Sequence, residues 1–200
     1  MPKIVDHKQY RKELLMKSFD LFAEKGYASI TMREIAKGLG VSTGTLYHYF
    51  PSKEALFLQL IEELTKQDIL NFLAEAGDVQ TLAERIKSLM NFVAKNEDYF
   101  FKQNLLMLDF YQQQERTESL HNQTLSRVWD DAIQALASYL EIEDRAIADF
   151  IYCLINGLIS ARMFEGDTIS YTEQSDLLAN MLTAYLENRE KESLAAKIRK

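Results

Sequence analysis

A chain of 200 residues, 47% hydrophobic and 26% charged, is long enough to bury a core in one or two domains and too apolar to remain disordered. Seven glycines and two prolines are too few for a sandwich or barrel of short strands, and the single cysteine, Cys153, excludes an intramolecular disulfide and a cysteine-based zinc site. The net charge of −7 is unevenly spread, with +3 on residues 1–57 and −10 on the rest, as in a basic binding module joined to an acidic body.

The opening MPKIVDHKQYRKELL has no apolar core of the signal-peptide kind, and the uncharged stretch 150–161 is 12 residues against the ~20 that span a bilayer; a cytoplasmic protein with no membrane partner is expected. Tyr10, Leu14, Leu15, Phe19 and Phe22 recur at helical spacing and predict a helix over 8–25, stopped by Gly26. Thr31 and Glu34 stand at capping-box spacing before a short helix over 32–39. Gly40 supplies a turn, Ser42 caps a third helix ending at Tyr49, and Pro51 restrains Phe50 so that the helix stops there. Ser52 then caps a fourth helix reaching about residue 72. With no proline after Pro51, long helices are expected over 79–95, 97–114, 118–140, 144–164 and 172–190. No segment alternates as a strand, so the fold class is all-α, with a domain boundary placed at 52/53.

The two short helices and their tight turn, residues 31–50, have the length and punctuation of a helix-turn-helix. Ile35, Ala36, Val41 and Leu46 form its inner face, leaving Thr43, Gly44, Thr45, Tyr47, His48 and Tyr49 outward. No carboxylate lies between Glu34 and Glu54 to repel phosphate. Gly44 allows the backbone close to a duplex, the hydroxyls and phenols can donate to phosphate oxygens, and Lys53 adds a cation. His48 reads either as a base contact or as an ordinary exposed side chain. The segment 1–10, with Lys3, His7 and Lys8, reads as a minor-groove arm or as a tail.

Residues 21–27 (LFAEKGY), 31–50 and 52–57 (SKEALF) resemble the DNA-binding domain of the TetR family of bacterial transcriptional regulators, over residues 11–60. The resemblance implies an all-helical homodimer of about nine helices per chain. Such a protein is usually a repressor of a palindromic double-stranded DNA operator, and its larger C-terminal domain, here 53–200, binds a small-molecule effector. It carries Thr31 and Arg33 to backbone contacts, Thr43, Gly44 and Thr45 to the tip of the recognition helix, and Tyr47 and Lys53 to phosphates; the capping Ser42 stands beside them as a candidate DNA contact. Tyr49 departs from the histidine common there.

In the body, Phe100, Met107, Phe110, Tyr111 and Trp129 read as core or as walls of an effector cavity, and Asp109 and Asn156 as internally paired groups or polar anchors. Arg162 reads as a ligand-carboxylate partner or as a helix-end cation. Two helices are apolar over a wide arc, through Ile151, Leu154, Leu158 and Ala161 and through Leu178, Met181, Leu182 and Tyr185, as expected of a buried helix, a dimer face, or both. No Gly-rich phosphate loop, histidine pair at metal spacing or nucleophile elbow is present, so neither catalysis nor a cofactor is expected. A helical protein-interaction adaptor is the alternative.

Overall fold

The structure is a computed structural model and describes residues 6–114 and 122–198. Nine α-helices and one 3₁₀ turn make up the described residues, with no strand. In chain order they are α1 (His7–Lys25), α2 (Met32–Gly38), α3 (Thr43–Tyr49), α4 (Lys53–Glu75), α5 (Leu82–Lys95), α6 (Glu97–Gln113), α7 (Gln123–Leu140), α8 (Arg145–Glu165), the turn Gly166–Thr168, and α9 (Tyr171–Ile198). The first residues of the helix expected from 118 lie outside the described residues; from Asn122 its side chain accepts the Thr124 and Leu125 N–H groups.

Local chemistry explains most boundaries. Gly26 ends α1 at φ +78°, a region only glycine enters without cost, and its N–H reaches the Phe22 carbonyl at 2.8 Å. Helix α5 begins at residue 82 rather than 79 because Thr81 and Glu84 form a capping box of their own. Helix α9 runs past 190 to 198, the sequence offering neither glycine nor proline to stop it.

The chain divides into two compact units, and the division differs from the expected boundary at 52/53. The first unit comprises the residues up to Leu70 together with Lys102–Ala132; the second comprises Asn71–Phe101 and the residues from Ile133 onward. The reason is aromatic. Phe110 on α6 is fully buried, stacked on Phe57 of α4 with ring centroids 4.7 Å apart and edge-on to Tyr27 at 4.9 Å, so this part of α6 belongs to the N-terminal core. Leu14, Phe22, Ile35, Leu46, Phe50 and Leu60 complete that core.

The second unit packs Ile86 and Met90 of α5, Leu136 and Leu140 of α7, Ile151, Ile155, Leu158 and Ile159 of α8, and Leu178 and Leu182 of α9 around one another. By length and composition α8 could cross a membrane, but the face with Ile147, Ile151, Ile155 and Ile159 is buried in this core. Arg162 neither stands free nor waits for a ligand. Its guanidinium pairs with Glu97 and Asp167, donates to the Ile169 carbonyl, and lies 4.6 Å from the Tyr171 ring centroid.

Candidate nucleic-acid interface

The reading head is assembled from local caps. Thr31 Oγ1 accepts the Glu34 N–H at 3.3 Å while Glu34 Oε2 accepts the Thr31 N–H at 3.0 Å and its hydroxyl at 2.8 Å. Lys25 donates to the other carboxylate oxygen at 2.9 Å, and the bonds from Lys25 and Thr31 hold the Glu34 carboxyl down at about 2. Gly40 turns the chain at φ +70°. Ser42 caps α3, its Oγ accepting the Thr45 N–H at 2.9 Å and sharing a bond with Thr45 Oγ1 at 2.8 Å.

Helix α3 is anchored by Leu46 and Phe50, both fully buried, while Val41 is half-buried. Helix α1 buttresses its end: His7 Nδ1 and the Tyr49 hydroxyl are 2.8 Å apart, Tyr10 meets the Tyr49 ring edge-on at 5.6 Å, and the Arg11 guanidinium lies 5.5 Å from the Phe50 ring centroid. Tyr49, the position that departs from the family pattern, is therefore held by α1. Thr31, Arg33, Ser42, Gly44, Tyr47 and His48 are exposed, Thr43, Thr45 and Tyr49 half-buried. Lys37, exposed in the last turn of α2, adds a cation that the sequence reading passed over. Nothing inside the head requires glycine at 44, where a Cβ would meet only Ser42 Oγ at an ordinary 3.8 Å.

Lys53 corrects an expectation. Its ammonium is turned onto the α1–α2 loop, donating to the carbonyls of Tyr27 at 2.7 Å, Ile30 at 3.0 Å and Ala28 at 3.4 Å, and lies 4.5 Å from the Tyr27 ring centroid. Burial draws its pKa below the usual lysine value, and the charge of Asp109 opposes that shift. An ammonium occupied in this way clamps the loop rather than standing out for a phosphate.

The sequence pattern of the bacterial regulatory proteins of the tetR family matches residues 14–60. The HTH-type transcriptional regulator BetI of Rhizobium meliloti (strain 1021) is 25% identical over 93% of this chain and 94% of its own length. The HTH-type transcriptional repressor KstR2 of Mycobacterium tuberculosis (strain ATCC 25618 / H37Rv) is 33% identical over 68% of this chain and 58% of its own length. The chain belongs to the TetR family. It is a transcriptional regulator, as its curated relatives are, and not an enzyme. The fold agrees: the FadR regulator of Bacillus subtilis in complex with stearoyl-CoA superposes with a TM-score of 0.64 at 20% identity, covering 86% of this chain and 96% of that one.

Within this TetR-family chain the expected effector residues are not gathered into one wall. Phe110 is locked in the first unit's core, and Asp109 bonds the Ala28 N–H at 3.0 Å, so neither is a cavity wall or anchor. Met107 is half-buried, and Tyr111 and Trp129 remain 42% and 46% exposed. Phe100 packs against the second unit's core, and Asn156 Nδ2 donates to the Tyr152 carbonyl of its own helix at 2.9 Å. None of the seven lines either of two clefts: one of about 470 Å³ beside Arg11, Gln59, Lys66 and Asp131 in the first unit, one of about 400 Å³ beside Phe72, Ser88, Asn91 and Phe92 in the second.

The expected dimer face also divides. Ile151, Leu158, Leu178 and Leu182 point into their own unit's core, because a helix buried on one side uses its largest aliphatic groups there. Leu154 and Ala161 are half-buried, whereas Met181 and Tyr185 are exposed, together with Leu177, Phe150 and Phe164.

Proposed function

We propose that the chain is a homodimeric repressor that binds a near-palindromic operator through α2 and α3 and is released by an apolar or amphipathic small molecule. The observation that carries DNA binding is the outward face of the head. It presents Arg33, Lys37, Gly44, Tyr47 and His48 to solvent, with Thr43 and Thr45 at the start of α3 and no acid between Glu34 and Glu54. Arg33, Lys37 and Tyr47 serve as phosphate contacts, and Thr45 and His48 as base contacts.

Dimerisation is supported by two exposed, largely apolar stripes at helical spacing. One carries Phe150, Cys153, Gly157, Ser160 and Phe164 on α8, the other Leu177, Met181 and Tyr185 on α9. An amphipathic effector is in keeping with the stearoyl-CoA held by the Bacillus subtilis regulator of the same fold. Such a ligand loosens operator binding tenfold if it prefers the non-binding conformation by about 1.4 kcal/mol.

Fluorescence anisotropy on labelled DNA from upstream of the chain's own gene tests the reading. It calls for a salt-sensitive complex with two chains per site, outcompeted by the same DNA and not by a scrambled duplex. Equal competition by both duplexes refutes it.

A further inference from the structure

The α1–α2 loop is gripped from two sides. Lys53 takes its carbonyls, and Asp109, three-quarters of the way along α6, takes the Ala28 N–H at 3.0 Å. The carboxylate also fills the space over Gly26, where a Cβ would come within 2.8 Å of Asp109 Oδ2, so the glycine that ends α1 leaves room for this contact as well as for its own positive φ. Between these groups the Tyr27 ring is packed on Phe57 and Phe110, and burial, followed by the charges of Glu54 and Asp109, pushes its phenol up to about 12. The loop leads directly into Thr31 and the capping box of α2, with no slack residue between the gripped segment and the reading head.

We propose that Asp109 is a positioning residue for DNA reading, whose bond to the Ala28 N–H ties the α1–α2 loop to α6 so that a displacement of α6 re-aims α2 and α3. Charge-assisted bonds from a backbone N–H to a carboxylate are short-range and directional, and a shift of α6 by about an ångström breaks this one. Helix α6 thus holds a direct grip on the head through Asp109, beside the clamp that Lys53 of α4 places on the same loop. The proposal rests on the reading of the head as a DNA-binding unit.

The test uses the full chain, an operator obtained by selection with the wild-type protein, and Asp109→Ala beside Asp109→Asn, which keeps an acceptor. Hydrogen exchange of the 26–31 segment reports the grip, and anisotropy reports operator and scrambled-DNA affinity. Asp109→Ala should speed loop exchange about tenfold or more and weaken operator binding about tenfold, while scrambled DNA binds within about twofold of wild type. Asp109→Asn should restore most of both losses. Asp109→Ser breaks the same bond and makes the same test if the alanine variant does not fold. A merely structural role would weaken both DNAs together; that result, wild-type exchange in Asp109→Ala, or an asparagine variant no better than alanine overturns the proposal. If the wild type selects no sequence at all, the functional reading falls and this inference with it. If it does select and Asp109→Ala binds as well as wild type, the inference alone falls.

Discussion

Gly44→Ala separates what the fold needs from what the interface needs, because it should push the two in opposite directions. Gly44 is the second residue of α3, and an added methyl meets only Ser42 Oγ at 3.8 Å, an ordinary contact. Alanine is favoured over glycine in a helix by up to about 1 kcal/mol, and for about 200 residues 1 kcal/mol moves Tm by roughly 2–4 °C, so the variant should melt a few degrees higher or unchanged. Against a duplex the same methyl stands where the backbone must approach. Overpacking a close interface costs about 1 kcal/mol or more per site, and two heads per dimer bring the loss to about 2 kcal/mol, roughly thirtyfold in affinity. Calorimetry and anisotropy on one preparation check both signs. A variant that binds operator as wild type removes Gly44 from the interface; one that melts lower contradicts the open space around it.

Phe110→Ala empties a fully buried stacked site and should cost about 3–5 kcal/mol, a fall in Tm of roughly 6–20 °C by calorimetry; unchanged melting with an altered ligand response would return Phe110 to an effector wall. Leu158→Glu places a carboxylate in the second unit's core and should unfold it by circular dichroism, whereas Met181→Glu, on an exposed stripe, should keep full helicity and sediment as a monomer; a Met181→Glu dimer would exclude that stripe. The folded pKa of Glu34, about 2, lies below its ordinary value of 4.5, so its contribution to stability is full above about pH 4.5 and is lost as pH falls toward 2. Glu34→Gln should accordingly melt below wild type near neutrality and level with it at about pH 2, and a gap in Tm that persists in acid would contradict the cap.

Elements whose determinants are local in sequence were legible from it. Thr31 with Glu34, Ser42, Ser52 and Gly26 act on backbone groups within four residues, and the helices begin or end where they stand. Even the missed start of α5 is written locally, as Thr81-Leu-Ala-Glu84. What the sequence could not supply are partners far along the chain. Asp109 finds Ala28 across 81 residues and Lys53 finds Tyr27 across 26; as letters in a string, Asp109 suits a ligand anchor and Lys53 a phosphate contact just as well. Period alone marks an apolar helix such as α8 as apolar over a wide arc, and only packing separates Leu158, which turns inward, from Phe164, 85% exposed. The division into compact units was out of the sequence's reach for the same reason, since Phe110 joins the N-terminal core from a helix that begins in the other unit.

The central claim is that α2 and α3 read a DNA sequence, and selection of binding sites from a randomised duplex pool by the wild-type chain tests it most directly. The account predicts enrichment of a near-palindrome whose half-sites face the same groove one helical turn apart, about 34–36 Å between centres, with Thr45→Ala or His48→Ala changing the enriched bases and Arg33→Ala weakening every sequence alike. A pool that emerges unenriched after repeated rounds, from protein that is folded and binds DNA equally whatever its sequence, would contradict it.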